Sequence, residues 1–320
     1  MTKADTPLAP TFAHVACLLC GHQMPPDLVR TACEKCNSPW LNARYDYRSV
    51  AKVWPGVLKE RDTDLWRYAE LLPIHASQRV SMGEGWTPLL RAERLGAELG
   101  LERLYIKDER QAPTSSFKDR QAALAVSALK AAGVRECVMA STGNAAAAYA
   151  AYCAVFVTSL VPAAKMREAA LYGAEVIKVT GTYDQTKQVA ADYAARHGLH
   201  LERGAKAIVG KESMKTIAFE IAEQMDWKPA DWYIQAVSGG IGPIGVWKGF
   251  TELKELGLID QPPKLAIVQV DGCAPMARAF AADKDKADPV TPRTEITILS
   301  TGAPGHGYTL LYQAVKSNGG

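Results

Sequence analysis

Beyond residue 80 the chain alternates short apolar, β-branched runs with longer stretches that are amphipathic or rich in alanine. The runs at 103–109 (RLYIKDE), 136–141 (ECVMAS), 155–162 (VFVTSLVP), 175–181 (EVIKVTG), 232–237 (WYIQAV) and 264–272 (KLAIVQVDG) read as strands. The segments 92–101, 117–133, 145–154, 164–173, 183–198, 212–225 and 243–257 read as helices. The helix at 145–154 abuts the strand at 155 with no turn between them, although such a connection needs a few residues. Ahead of this alternation, 49–72 reads as irregular helix with several Trp and Tyr, and 81–90 (SMGEGWTPLL) as a Gly-rich turn feeding a short apolar piece. Strands alternating with helices predict an α/β fold built on an open, largely parallel sheet covered on both faces. Ligands then belong in loops at the carboxyl ends of strands.

Composition narrows the class without naming it. With 320 residues, 48% hydrophobic and 22% charged, the chain is neither disordered, nor collagen-like, nor a small disulfide scaffold. A balance of 37 Lys+Arg against 34 Asp+Glu gives +3, which argues against a nucleic-acid partner. The first ten residues lack the apolar core of a secretory signal. The charge-free stretch 145–164 is long enough to span a bilayer, but Ala gives way to β-branched residues halfway and Pro162 lies near its end. It reads as a buried helix running into a buried strand, so no membrane partner is expected, and a cytoplasmic protein with reduced thiols is.

Four of the seven cysteines form C-x-x-C twice, Cys17/Cys20 and Cys33/Cys36, with twelve residues between the pairs. Two such knuckles in a cytosolic chain suit one tetrahedral, structural zinc, because each pair brings two thiolates to the ion. Gly21, and Asn37-Ser38-Pro39 after the second pair, supply turn chemistry. Four unconnected thiols, a redox pair and a ribbon that has lost its metal are the alternatives.

Three loops fall where the fold class puts ligands. In the first (113–120, PTSSFKDR), Ser115 or Ser116 can cap the following helix, which leaves Lys118 in the first turn. The helix dipole disfavours a cation there, and an amine with a lowered pKa is a usable nucleophile for Schiff-base chemistry. In the second, Ser141-Thr142-Gly143-Asn144 offers free amides and two hydroxyls at a helix N-terminus, a cradle for a carboxylate, although Asn144 alone would make a plain cap. In the third (238–245, SGGIGPIG), glycines let backbone N–H groups approach a phosphate at the head of a helix. This stretch also reads as G-x-G-x-x-G with Asp271 ending the next strand, so a dinucleotide-dependent oxidoreductase is an alternative.

Taken together, GEGWTPL (83–89), KDE (107–109), PTSSFKDR (113–120), STGNAAA (141–147), KTIAFE (215–220) and SGGIGPIG (238–245) resemble the fold type II pyridoxal-phosphate enzymes, and most of all the threonine synthase family. Part of that family also carries an N-terminal zinc-ribbon-like segment. The resemblance implies two open parallel-sheet, three-layer domains. One comprises 49–100 with 214–320 and binds the cofactor; a smaller one comprises 101–213; the ribbon-like segment is 1–48. It implies that Lys118 holds pyridoxal phosphate covalently and shuttles the substrate's α-proton. It further implies that Asn144 meets the cofactor's 3′-oxygen, and that Ser238, Gly239, Gly240, Ile241 and Gly242 bind its phosphate. Ser141, Thr142, Gly143, Thr114 and Ser115 would hold the substrate. The implied activity is conversion of O-phospho-L-homoserine and water to threonine and phosphate by a homodimer. A β-eliminating or β-replacing paralogue, of the threonine/serine dehydratase or cysteate synthase kind, is the alternative within the resemblance. The sequence departs from the family at 207–210 (AIVG), where many members carry an Asn-Pro-x-Arg-like stretch for the substrate's phosphate; Lys206, Lys211 and Lys215 are the nearby cations. Members of the family also have closing strands and a hydroxyl at the pyridine nitrogen to which no residue up to Gly320 is assigned.

Overall fold

The computed structural model describes residues 7–141, 143–152, 155–158, 163–181 and 183–320. The chain opens with a small antiparallel sheet of β1 (Phe12–Cys17), β2 (Gln23–Met24) and β3 (Leu41–Tyr45), ordered β2-β1-β3. These strands escaped the sequence reading, because the cysteine knuckles interrupt the alternation that would mark them. Helix α1 (Tyr47–Ala51) follows, capped by Asp46, whose carboxylate accepts the Ser49 N–H. Three short 3₁₀ turns then run to Gln78 and explain the irregular helix expected there. Aromatic residues of this stretch are core: Trp54, edge-on, and Tyr68, tilted, pack against Phe219, with ring centroids 5.5 and 5.3 Å away.

Strand β4 (Leu89–Arg91), α2 (Glu93–Leu99) and β5 (Tyr105–Lys107) come next, and β4 pairs with β5 antiparallel. The alternation proper is α3 (Lys118–Ala131), β6 (Cys137–Ala140), α4 (Asn144–Tyr152), β7 (Val155–Thr158), α5 (Ala163–Leu171), β8 (Val176–Ile177), α6 (Tyr183–His197) and β9 (His200–Leu201). Its four strands form one parallel sheet in the order β8-β7-β6-β9. The helix before β7 ends at Tyr152 and β7 begins at Val155; the connection expected to be tight, 153–154, lies outside the described residues. Among the described residues no helix is long and apolar enough to cross a membrane.

Helix α7 (Ile208–Gln224), β10 (Trp232–Ala236), α8 (Ile241–Glu255) and β11 (Lys264–Val268) follow, with β10 and β11 parallel. Two helices the sequence reading did not mark, α9 (Pro275–Ala281) and α10 (His306–Asn318), complete the chain; α10 packs on α8 and β11.

The α7–α8 contact positions the glycine loop. On α8, Gly245 and Gly249 lie one turn apart. A Cβ on Gly245 would stand 2.4 Å from Met214 Cβ and 2.6 Å from the Lys211 carbonyl oxygen. A Cβ on Gly249 would stand 2.5 Å from the Lys215 carbonyl oxygen. The missing side chains let the two backbones touch. Gly245→Ala is therefore expected to lower stability by about 1–3 kcal/mol, the usual cost of overpacking, read from the denaturant midpoint. Unchanged stability would mean that the helices are not held at this distance.

Candidate active site

Lys118 is the first residue of α3, and its side chain is half-buried. The residue before it, Phe117, takes the N-cap position with no side-chain cap, so neither Ser115 nor Ser116 caps the helix as expected. Ser116 Oγ only accepts the Lys118 N–H at 3.4 Å, and Ser115 is displaced into the left-handed region at φ 57°. The reason is Asp119. Its carboxylate accepts both the N–H and the hydroxyl of Thr114, each at 2.7 Å, and closes the loop back onto the helix head. Lys118 Nζ lies 4.6 Å from the Phe117 ring centroid and 3.4 Å from Gln121 Oε1. Burial pushes the amine down to about 8 against the opposing pull of Glu202.

The second loop follows β6. Ser141 is buried, and its Oγ accepts the N–H groups of Gly143 (3.0 Å) and Ala146 (3.1 Å). Ser141 thus caps α4, not Asn144, which is the helix's first residue and half-buried. A hydroxyl that accepts twice also carries one proton it can donate. Gly143 is buried, and Thr142 lies outside the described residues. The helix that follows this loop packs on the one that follows the first, α4 on α3.

The third loop follows β10. Gly240, at φ 86°, is the N-cap of α8, and no side chain caps that helix. The first-turn N–H groups of a helix have no intrahelical partners, which leaves those at Ile241 and Gly242 pointing out of its head. A Cβ on Gly242 would meet the Gln235 amide at 2.5 Å, and one on Gly240 would meet Leu311 Cδ1 at 2.7 Å. Over Gly239 the space is open, with only Thr301 Oγ1 at 3.9 Å from a built Cβ. Ser238 Oγ and Thr301 Oγ1 are 2.6 Å apart at the rim. A lowered amine in one loop and an uncapped, glycine-lined helix head in another match the aldehyde and phosphate ends of pyridoxal phosphate.

The first and third loops are joined through the core. Gln121 reaches Glu202, Glu202 Oε1 accepts the Gly204 N–H at 2.9 Å, and position 210 nests between Gly204 and Ile241. A Cβ at Gly210 would stand 2.7 Å from the Gly204 carbonyl oxygen and 3.0 Å from Ile241 Cδ1. No larger residue fits there, which is the physical content of the departure at 207–210. Of the three neighbouring cations, Lys215 is fully buried and paired with Glu212 (2.6 Å) and Glu252 (2.9 Å). Lys211 is buried, donates to the Ala205 and Ala207 carbonyls, and is pushed down by burial to about 7. Lys206 is exposed.

A hub that sequence reasoning did not identify lies behind Lys118. Arg120, fully buried, donates to Glu109 (2.8 Å), Thr216 (3.1 Å) and both carboxylate oxygens of Glu220. Lys107 Nζ adds a 2.7 Å pair to Glu220. The available signal was that the hub residues all lie in three of the quoted motifs, KDE, PTSSFKDR and KTIAFE, yet they meet only across the fold.

The cysteine knuckles are built twice over. Gly21 N–H donates to the Cys17 carbonyl and Asn37 N–H to the Cys33 carbonyl, at 3.0 and 2.9 Å. Cys17 N–H donates to the His22 carbonyl and Cys33 N–H to the Ser38 carbonyl, at 2.9 and 2.8 Å. Gly21 (φ 70°) and Asn37 (φ 54°) make the matching left-handed turns. The four Sγ atoms all lie within 4.8 Å of one another. Cys17–Cys36 and Cys20–Cys33 are 3.6 and 3.7 Å apart, close to the ~3.8 Å edge of a tetrahedron with Zn–S bonds of about 2.3 Å.

Known proteins place this arrangement. The model of the family described as "Pyridoxal-phosphate dependent enzyme" matches residues 80–320. Threonine synthase of Methanocaldococcus jannaschii is 36% identical over 315 residues, which is 95% of this chain and 77% of that one. Threonine synthase of Methanosarcina acetivorans is 33% identical over 316 residues, 96% of this chain and 77% of that one. Maize serine racemase shares the fold, with a TM-score of 0.62 at 22% identity over 72% of this chain and 70% of that one. With these likenesses the dinucleotide-dependent oxidoreductase is set aside. By its match to that family model and its identity to these relatives, the chain belongs to the threonine synthase family of pyridoxal-phosphate-dependent enzymes.

Proposed function

We propose that the chain is a threonine synthase, converting O-phospho-L-homoserine and water to L-threonine and phosphate. The observation that carries this reading is the 36% identity, along 95% of the chain, to a protein of that name. Bound pyridoxal phosphate supplies an aldehyde for the amine and a sink for the electrons of the breaking C–H bond. Lys118, whose amine burial holds at about 8, has a substantial unprotonated fraction near neutral pH. It can therefore attach the cofactor, and afterwards hold and return the substrate's α-proton. The N–H groups around 239–242, with Ser238, hold the cofactor's phosphate, and Asn144 meets the 3′-oxygen. Ser141 donates its remaining proton to the substrate carboxylate, with Thr142 and Gly143 beside it. Thr114 gives its proton to Asp119, so its part, with Ser115, is to shape the substrate side of the first loop. Because position 210 has no room for a side chain, the substrate's phosphate meets the loop around the exposed Lys206. By the same resemblance the protein acts as a homodimer in the cytoplasm.

Incubation with O-phospho-L-homoserine tests the reaction, and threonine with stoichiometric phosphate is the expected product. Inert phosphohomoserine, alongside ketoacid from serine or threonine or sulfite-dependent loss of phosphoserine, would move the assignment to a paralogue acting at the β carbon.

We propose also that Cys17, Cys20, Cys33 and Cys36 hold one structural zinc. The two knuckles have matching hydrogen bonds and sulfur spacings near a tetrahedral edge. Four thiolates complete the shell and leave no open position for chemistry. Elemental analysis should find about one zinc per chain, lost in Cys17→Ser. Metal-free protein with four freely titrating thiols would count against it.

A further inference from the structure

Glu202 has no part in the chemistry above, yet it is a buried carboxylate facing the amine that does. Its backbone extends β9, donating to the Val138 carbonyl at 2.8 Å, and its side chain is 7% exposed. Gln121, 2% exposed and one turn along α3 from Lys118, lies between the two. Its Oε1 is 3.4 Å from Lys118 Nζ and its Nε2 is 3.5 Å from Glu202 Oε1. Both ends of the amide are matched to their neighbours, since the carbonyl oxygen accepts from the amine and the NH2 donates to the carboxylate. The loop after Glu202 is pinned by Gly204, whose N–H meets Glu202 Oε1, and by Lys211, which donates to the Ala205 and Ala207 carbonyls. Glu202 is faced by Lys118 and Gln121 from α3, Tyr149 from α4 and Lys211 from α7.

We propose that Gln121 and Glu202 are positioning residues for Lys118: together they hold its free amine through the amide bridge and keep a negative charge behind it that sets when it releases its proton. The inference rests on Lys118 being the reactive amine. A residue that both attacks and carries a proton works best with its pKa near the working pH. Burial alone would drive the amine lower, and an opposite charge nearby works against that. The carboxylate itself is pushed up by burial, so its charge depends on the donors around it.

The test is the pH dependence of reductive methylation at Lys118, read by peptide mass mapping on the full chain stripped of cofactor, the state in which the amine is free. Glu202→Gln should move the midpoint down by about one unit, which raises labelling at pH 7 about fivefold. Gln121→Leu should move it in the same direction by breaking the bridge, and Glu202→Asp should restore most of the wild-type midpoint. The pH at which cofactor re-attachment is half-maximal should fall with the labelling midpoint. Melting curves establish which variants are folded; if Glu202→Gln is not, Gln121→Leu carries the same comparison. An unchanged midpoint in a folded variant overturns the proposal. Borohydride reduction of the loaded enzyme tests the underlying reading separately: a pyridoxyl group mapped to another lysine would remove Lys118 as the cofactor carrier without altering the measured midpoints.

Discussion

Lys118→Ala should give colourless protein that retains no cofactor after desalting and has lost threonine formation by three or more orders of magnitude. The expectation follows from chemistry and from local structure together. The amine is both the point of attachment and the carrier of the α-proton, and proton transfer by a positioned side chain by itself contributes about 10²–10⁴-fold. The fold should survive, because alanine is the best helix former and position 118 opens α3 without a cap that depends on its side chain. The variant should therefore melt within a few degrees of the wild type. In the wild type, attachment requires the unprotonated amine, and burial holds that group at about 8. The rate of cofactor uptake should accordingly rise as the pH rises through that value and fall below it. A yellow Lys118→Ala protein whose cofactor is reduced by borohydride onto another residue would sink the assignment.

Glu220→Ala should be the most destabilising single truncation behind the site, by about 3–5 kcal/mol, because it leaves buried cations without their partner. Arg120 and Glu220 are both fully buried, and Lys107 pairs with the same carboxylate at 2.7 Å. Burial pushes the Glu220 carboxyl up, but the Arg120 and Lys107 charges outweigh it and hold it at about 2. Since the folded value lies below the unfolded one of 4.5, the stabilisation is present above that pH and is lost as the pH falls toward 2. Chemical denaturation at pH 7 measures the effect, with the exposed Glu255→Ala as a control expected within about 0.5 kcal/mol of wild type. A shift in Glu220→Ala no larger than that control would mean that the ion network is not what holds α3 to α7.

Much of the local structure was legible in the sequence, because its signals span only a few residues. The alternation of apolar runs with amphipathic stretches located three of the four strands of the parallel sheet, β6, β7 and β8, missed the two-residue β9, and placed the loops that follow β6 and β10. The knuckle turns were marked by Gly21 and Asn37, the residue types that tolerate a left-handed backbone. Lys118 was placed in the first turn of its helix, and there it stands. Strand ends were less well marked: EVIKVTG yields only Val176–Ile177, since pairing rather than β-propensity decides where a strand stops.

Tertiary structure alone decided which polar group meets which. Several hydroxyls near each helix head could serve as its cap; Ser141 took α4, while the bonds from Thr114 to Asp119 shape a loop in which neither Ser115 nor Ser116 caps α3. Arg120 meets Glu220 across a separation of 100 residues, and Gln121 meets Glu202 across 81. Lys215 looked available for an anion and is instead enclosed between Glu212 and Glu252. A side chain's charge is written in the sequence, but whether it is free depends on what the fold buries against it, because a charge taken out of water must find its partner wherever the backbone brings one.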